Sequence, residues 1–430
     1  MTAWRKLVFV WFLLVALTAA QDAKLQPPVD WIRSHAVPLR TVEAGHGFDD
    51  MQPLGKVVAN ARIVALGEAT HGTHEFFQLK HRMVEFLASE KGFTIFAIEA
   101  SMPEAYHLND YVLGGTGDPQ QLLNGLHYPI WRTQEVLNMI LWMREFNQSG
   151  RGRLEFAGFD MQTPRLALEN VQSFVSAHDK SYATSLDPIY AEVKLRTKTP
   201  VPSASPSQKS ADRALALKCR DVLKHLDRSR GRFVRSSIEA KQVDWVIQNA
   251  RIVLEYLQLA SGDRTRDRCM AENVKWIADH NPGAKIVLWA HNGHIKYWNP
   301  PGFDPMGSYL HRMFGRSLVN FGFSFNEGSF RAMEDGKTFR EFTVAPLPEG
   351  SLDRTSASAG IPLFALDLRK LPKDGPVAQW FAAERDMRSI GAVYSEKDAE
   401  SPMAISSQRW PKAFDVILFV EKTTPSRGLD

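Results

Sequence analysis

Apolar residues along this chain fall into two recurring patterns. Short apolar runs, ARIVAL at 61–66, FTIFAI at 93–98, RLEFAG at 153–158 and KIVLWA at 285–290, have the length and composition of buried strands. Between them, apolar positions return at three- and four-residue spacing. Phe77, Leu79, Met83, Val84 and Leu87 predict a helix over 74–90, and Val136, Leu137, Ile140 and Met143 predict another over 133–147. Shorter helices are expected at 103–113 and 119–126. Strands alternating with helices imply parallel pairing, with helices covering the sheet.

The pattern then changes. Helical periodicity marks 165–178, 211–228, 236–260 and 264–280, interrupted by a Pro- and Ser-rich stretch at 195–210 that reads as a surface loop and a candidate lid. Helix 306–315 follows, with strands expected at 317–325, 362–367, 389–394 and 414–421. The expected fold is α/β: a mostly parallel central sheet flanked by helices, with a helical segment inserted near 165–280. One domain is expected over residues 41–430, preceded by an N-terminal extension at 21–40.

The first 20 residues stand apart. Arg5 and Lys6 precede an unbroken apolar run from Leu7 to Leu17, and Thr18-Ala19-Ala20 supplies small residues before Gln21 and Asp22. This is the three-part pattern of a secretory signal peptide. The run is shorter than the roughly 20 residues of a spanning helix. The mature chain is therefore expected to be exported, periplasmic or secreted, with no membrane association after cleavage. Arg5 and Lys6 account for half of the net charge of +4, which leaves the remainder too near neutrality to indicate nucleic-acid binding. Cys219 and Cys269 pair in an oxidising compartment if they meet, and otherwise are buried thiols; the sequence leaves both open.

Absent motifs narrow the chemistry. The chain has no G-x-S-x-G, no H-E-x-x-H, no P-loop and no G-x-G-x-x-G after a strand. What it does have is polar residues where predicted strands end, which is where sites form in open α/β sheets. Gly67-Glu68-Ala69-Thr70-His71-Gly72-Thr73-His74-Glu75 follows the first strand; Glu99 and Asp160 end the second and third; His291-Asn292-Gly293-His294 follows the fourth. An imidazole oriented by a neighbouring carboxylate is a general base. The same four histidines, His71, His74, His291 and His294, also suit a zinc or iron site. Trp131 and several other aromatics supply candidate cleft walls.

These blocks together resemble the erythromycin esterase family. The matching stretches are GEATHGTHEFFQLKHRMVEFL at 67–87, GFTIFAIEA at 92–100, WMREFN at 142–147, FAGFDMQ at 156–162, RDRCMAENVKWI at 266–277, IVLWAHNGHI at 286–295 and MGSYL at 306–310. The resemblance implies a hydrolase that opens a macrolide lactone, and so antibiotic resistance, through water activated by histidine. It implies no serine nucleophile and no required metal or other cofactor. Glu68 and His71 match the motif's E-x-x-H, His291 a second functional histidine and Glu99 an acidic cleft position. Lys80 stands where some antibiotic-hydrolysing members carry Arg, and with His291 is a candidate to stabilise the oxyanion. His74, Glu75, His294, Trp131 and Asp160 are the expected substrate-binding set. A small-molecule ester or macrolide and a monomeric state complete the expectation. A metal-dependent hydrolase or peptidase, or a haem- or metal-binding protein on a similar scaffold, is the alternative.

Overall fold

The structure, a computed structural model, describes residues 25–198, 205–236, 238–298 and 302–429. The expected export signal at 1–20 lies outside the described residues, as do positions 199–204 of the expected loop at 195–210. Strands among the described residues are β1 (Val37–Pro38), β2 (Ile63–Leu66), β3 (Ile95–Ser101), β4 (Glu155–Asp160), β5 (Ile286–Trp289), β6 (Leu318–Glu334), β7 (Thr338–Val344), β8 (Leu363–Asp367), β9 (Arg385–Arg388), β10 (Ile405–Gln408) and β11 (Val416–Thr423). The described residues divide into two compact units, one drawn from 25–93, 130–139 and 285–429, the other from 94–129 and 140–284.

In the first unit the sheet runs β1-β8-β11-β6-β2-β5, with β7 paired to β6. The β11–β6, β6–β2 and β2–β5 pairs are parallel; β8 and β1 add antiparallel strands at one edge. Every residue of β2 and β5 is buried, as continuous apolar runs demand when helices cover both faces. Helix His74–Lys91 starts after extended Thr73 and ends at Gly92, whose φ of 69° stops it. Most of its length is buried, including Lys80, Arg82 and Glu85. The stretch expected as an extension at 21–40 contributes a helix over 25–35 and then β1, whose Val37 pairs with Ala365.

Two expectations for this unit are corrected. β6 runs to Glu334, well past 325, because its second half is buried on one face only and forms a hairpin with β7 around Asp335-Gly336. Residues 389–394 are irregular instead of a strand: Ser389 bonds Ala404 O and Ile390 bonds Ala69 O, while β9 ends at Arg388.

The second unit holds the parallel β3–β4 pair and the helices Met102–Val112, Pro119–Asn124, Arg165–His178, Lys180–Arg196, Pro206–Arg235, Ala240–Ser261 and Arg266–His280. The helical stretch expected near 165–280 lies here, together with those two strands. The helix expected at 211–228 extends to 30 residues, its start fixed by Ser205, whose side chain accepts from Gln208 N. Cys219 and Cys269 are both buried and unbridged.

A polar seam runs through this helical layer. Asn273 Nδ2 donates to Glu255 Oε2 (3.0 Å) and to Phe159 O, and Gln248 Nε2 donates to Asn273 Oδ1 (2.7 Å). Burial drives the Glu255 carboxyl up to about 8, against an ordinary 4.5. A raised carboxyl favours the fold below its unfolded pKa, and that advantage is lost as pH rises toward the folded value. Glu255→Gln is therefore expected to gain on the wild type by roughly 2–4 kcal/mol between pH 5 and pH 8, read from urea melts at each pH.

Candidate active site

The β2–β5 register explains how two distant sequence clusters meet. Leu66 lies opposite Trp289 in adjacent parallel strands, so the loops that follow leave the sheet side by side. Asn292 joins them. Its backbone N–H donates to Glu68 O (2.9 Å), its Nδ2 donates to Phe323 O (2.7 Å), and Phe323 N–H donates to its Oδ1 (3.0 Å). The approach is close enough that a Cβ on Gly67 would stand 2.1 Å from Asn292 Oδ1, and one on Gly72 would stand 1.7 Å from Arg331 O. Glycine is needed at both places because backbone and side chain of other segments occupy the space.

Glu68 is fully buried and accepts from three side chains. His71 Nδ1 donates to Oε1 (2.6 Å); Lys80 Nζ and Trp289 Nε1 both donate to Oε2 (2.7 and 2.9 Å). The Lys80 ammonium, itself without exposed surface, also lies over the Trp289 ring at 4.4 Å. His71 is 9% exposed, and its Nδ1 contact leaves Nε2 as the nitrogen open to a reactant. Trp131 stands edge-on to the His71 ring at 5.6 Å and to Trp289 at 5.7 Å. His291 is the second imidazole here, 5.0 Å from His71 between ring centres. Gly293 N–H donates to its Nδ1 (3.0 Å) and its Nε2 donates to Ile390 O (3.1 Å). That pair of bonds selects the Nε2–H tautomer.

His74 and Glu75, expected at the substrate, are tied elsewhere. His74 contacts Glu135 through Nδ1 (2.7 Å) and Glu43 through Nε2 (3.2 Å), and its bond to Glu135 outweighs burial to raise its pKa. Glu75 accepts from Thr424 N–H and Oγ1, both at 2.7 Å, while Arg427 N–H donates to Glu135. Both residues thus anchor the last residues of the chain to the start of helix His74–Lys91. His294 lies on the short helix Asn292–Ile295 that His291 caps, with its backbone N–H bonded to His291 O. Lys80, expected to stabilise the oxyanion, places its ammonium against the Glu68 carboxylate.

Glu99 and Asp160 form a cluster within the second unit. Ser101 pairs with Asp160 in the β3–β4 register, which brings the two strand ends together. Arg266, the first residue of its helix, donates through Nη2 to Glu99 Oε1 (2.7 Å) and through Nε to Asp160 Oδ2 (3.0 Å). Tyr128 Oη and Gln162 Nε2 also donate to Asp160 (2.8 and 3.0 Å). Burial alone would raise Asp160, but the Arg266 charge and hydrogen bond prevail and hold it below 3.8. Burial, with the Asp160 charge beside it, pushes Tyr128 well up.

A lowered carboxyl stabilises the fold above its unfolded pKa, and that contribution disappears as pH falls through the folded value. Arg266→Met is expected to cost about 3–5 kcal/mol near neutrality, because two buried carboxylates lose their cation. The gap from wild type should narrow below about pH 4 in denaturant melts. Sequence reasoning missed Arg266, although its block was noted, because a lone arginine opening a helix gives no sign of the two strand ends it joins. It likewise missed Trp289 as a hydrogen-bond donor and Asn292 as the clasp between loops.

Among the described residues no group of three or more His, Cys, Asp or Glu side chains is arranged to hold a metal ion, and no helix is long and apolar enough to cross a membrane.

The fold and the Glu68–His71 pair at a strand end define the class: an α/β protein with a carboxylate-oriented imidazole at the sheet's carboxyl edge. The erythromycin esterase family profile matches residues 88–423, and the chain belongs to that family. It is 26% identical to the Escherichia coli erythromycin esterase type II, covering 92% of this chain and 98% of that protein. A crystal structure of a Bacillus cereus protein superposes with a TM-score of 0.83 at 27% identity, covering 94% of this chain and 99% of that one. The erythromycin esterase EreC, in the open conformation of a mutant, shares the fold at a TM-score of 0.67 and 18% identity, over 89% of this chain and 96% of that one. Family membership supports hydrolase chemistry.

Proposed function

We propose that this protein hydrolyses a carboxylic ester or lactone, a macrolide ring in particular, by direct attack of water activated at His71. One observation carries the reading: His71 Nδ1 is bound to a buried carboxylate at 2.6 Å, which directs Nε2 toward the reactant. Nε2 takes a proton from water as the water oxygen bonds to the ester carbonyl carbon. The resulting tetrahedral oxyanion then collapses with cleavage of the acyl C–O bond. The imidazolium returns its proton to the departing alkoxide, giving acid and alcohol. Glu68 holds the tautomer and offsets the positive charge that forms on the ring. Lys80 and Trp289 hold Glu68 in place. His291, 5.0 Å from His71, is the neighbour best placed to meet the oxyanion, by turning its Nε2–H from Ile390 O. The reading calls for no cofactor, and activity that chelator abolishes and zinc restores would overturn that part.

Family membership and similarity to a named erythromycin esterase support the macrolide as substrate. The test is mass spectrometry of erythromycin incubated with the purified chain and with His71→Ala. Gain of one water that depends on His71 is the expected result; no gain with either protein overturns the macrolide as substrate. Residues 1–20 are read as an export signal, so N-terminal sequencing of protein recovered from outside the cytoplasm should begin at Gln21.

A further inference from the structure

The second unit carries a cleft of about 450 Å³ that none of the residues discussed above as a site lines. One wall is a run of rings. Tyr106 stacks on Trp245 (5.0 Å between centres, 27° between planes), and Trp245 leans on Trp276 at 6.0 Å. Tyr106 is 43% exposed, which leaves π surface facing solvent. The charged lining residues are Asp110, Glu155, Glu239 and Asp244 on the acidic side and Arg153 and Lys241 on the basic side, with His280 beside them.

The charges decide what such a cleft would take. Asp244 is paired with Arg230 (2.5 Å) and Glu155 with Arg153 (3.3 Å). No ion pair to Asp110 or Glu239 occurs among the described residues. Burial first, and then the charges of Asp110 and Glu155, push the Tyr106 hydroxyl up. Desolvation also raises Asp110, against the lowering effect of His107. A carboxylate with no ion pair beside an exposed ring is a poor arrangement for an anion and one that a neutral ligand would leave unrelieved. A cation relieves it twice, by attraction to the carboxylate and to the negative faces of the rings.

We propose that this cleft is a binding site for an organic cation, an alkylammonium group carried on a small molecule. The ammonium sits against Tyr106 and Trp245 within reach of Asp110, and the remaining volume holds the body of the ligand beside Trp276. The cleft is of ordinary size for a small-molecule site, so the headgroup fills only part of it.

Titration calorimetry of the full chain with choline as probe tests this, against its uncharged isostere 3,3-dimethylbutan-1-ol and against glucose. Choline is expected to bind in the millimolar range, with the isostere about tenfold weaker or worse. Trp245→Ala and, separately, Asp110→Asn should each weaken choline about tenfold. The second variant alters one exposed carboxylate, so it tests the site even if loss of Trp245 disturbs folding. Equal binding of choline and its isostere would overturn the cation, as would glucose binding more tightly than choline. Unchanged choline affinity in Asp110→Asn, or no binding by about 100 mM choline, would overturn the site itself.

Discussion

His71→Ala is expected to slow ester hydrolysis by about 10²–10⁴-fold while leaving the fold in place. The imidazole makes one hydrogen bond, to Glu68, and ring contacts to Trp131 and His291. Its removal leaves Glu68 still bound by Lys80 and Trp289, so no buried charge is stranded. The loss should fall mainly on kcat, since general-base assistance acts in the transition state. The truncated side chain also leaves space beside Glu68, so added imidazole should restore part of the rate, with a pH dependence that follows the added base. A variant with near-wild-type turnover would remove His71 from the chemistry. A variant that is inactive, unresponsive to imidazole and cooperatively folded would assign it a binding role instead.

Lys80→Met should be the most damaging single change to stability in the site, at about 3–5 kcal/mol in urea melts. Both Lys80 and Glu68 side chains lack exposed surface and contact each other at 2.7 Å. Removing the ammonium leaves a carboxylate in the interior with only the His71 and Trp289 donors. Pairing the change with Glu68→Gln should recover a large part of the loss, because the uncompensated charge is then gone. That double variant should stay nearly inactive, since an amide cannot impose the same tautomer on His71. Lys80→Met that melts like wild type would mean that the pair is not closed in solution.

The sequence was most legible where chemistry and periodicity coincide. The turn 67–75 was marked by its density of titratable side chains, and the loop 291–294 by its two histidines after an apolar strand. Their convergence could be expected only in general form, from strand ends in an open sheet. The partner of Glu68 across 221 positions, Trp289, was visible as an aromatic and invisible as a donor. His74 and Glu75 stand in the same dense run as Glu68 and His71, and the sequence places them at the substrate. The structure separates them because helix His74–Lys91 begins there, turning the two side chains toward the returning chain end at Thr424 and Arg427.

Local pattern alone determined the alternation of strands and helices, the burial of the short apolar runs and the concentration of reactive groups at their carboxyl ends, because each depends on neighbours a few residues away. Tertiary structure alone decided the rest: that Lys80 supports Glu68, that Arg266 unites Glu99 with Asp160, that β6 continues into a hairpin and that residues 389–394 supply a carbonyl to His291 in place of a strand. Each of those outcomes is a contact between segments far apart in the chain. Hydrogen-bond partners and desolvation at such contacts are fixed by strand register and helix packing, which no local spacing records.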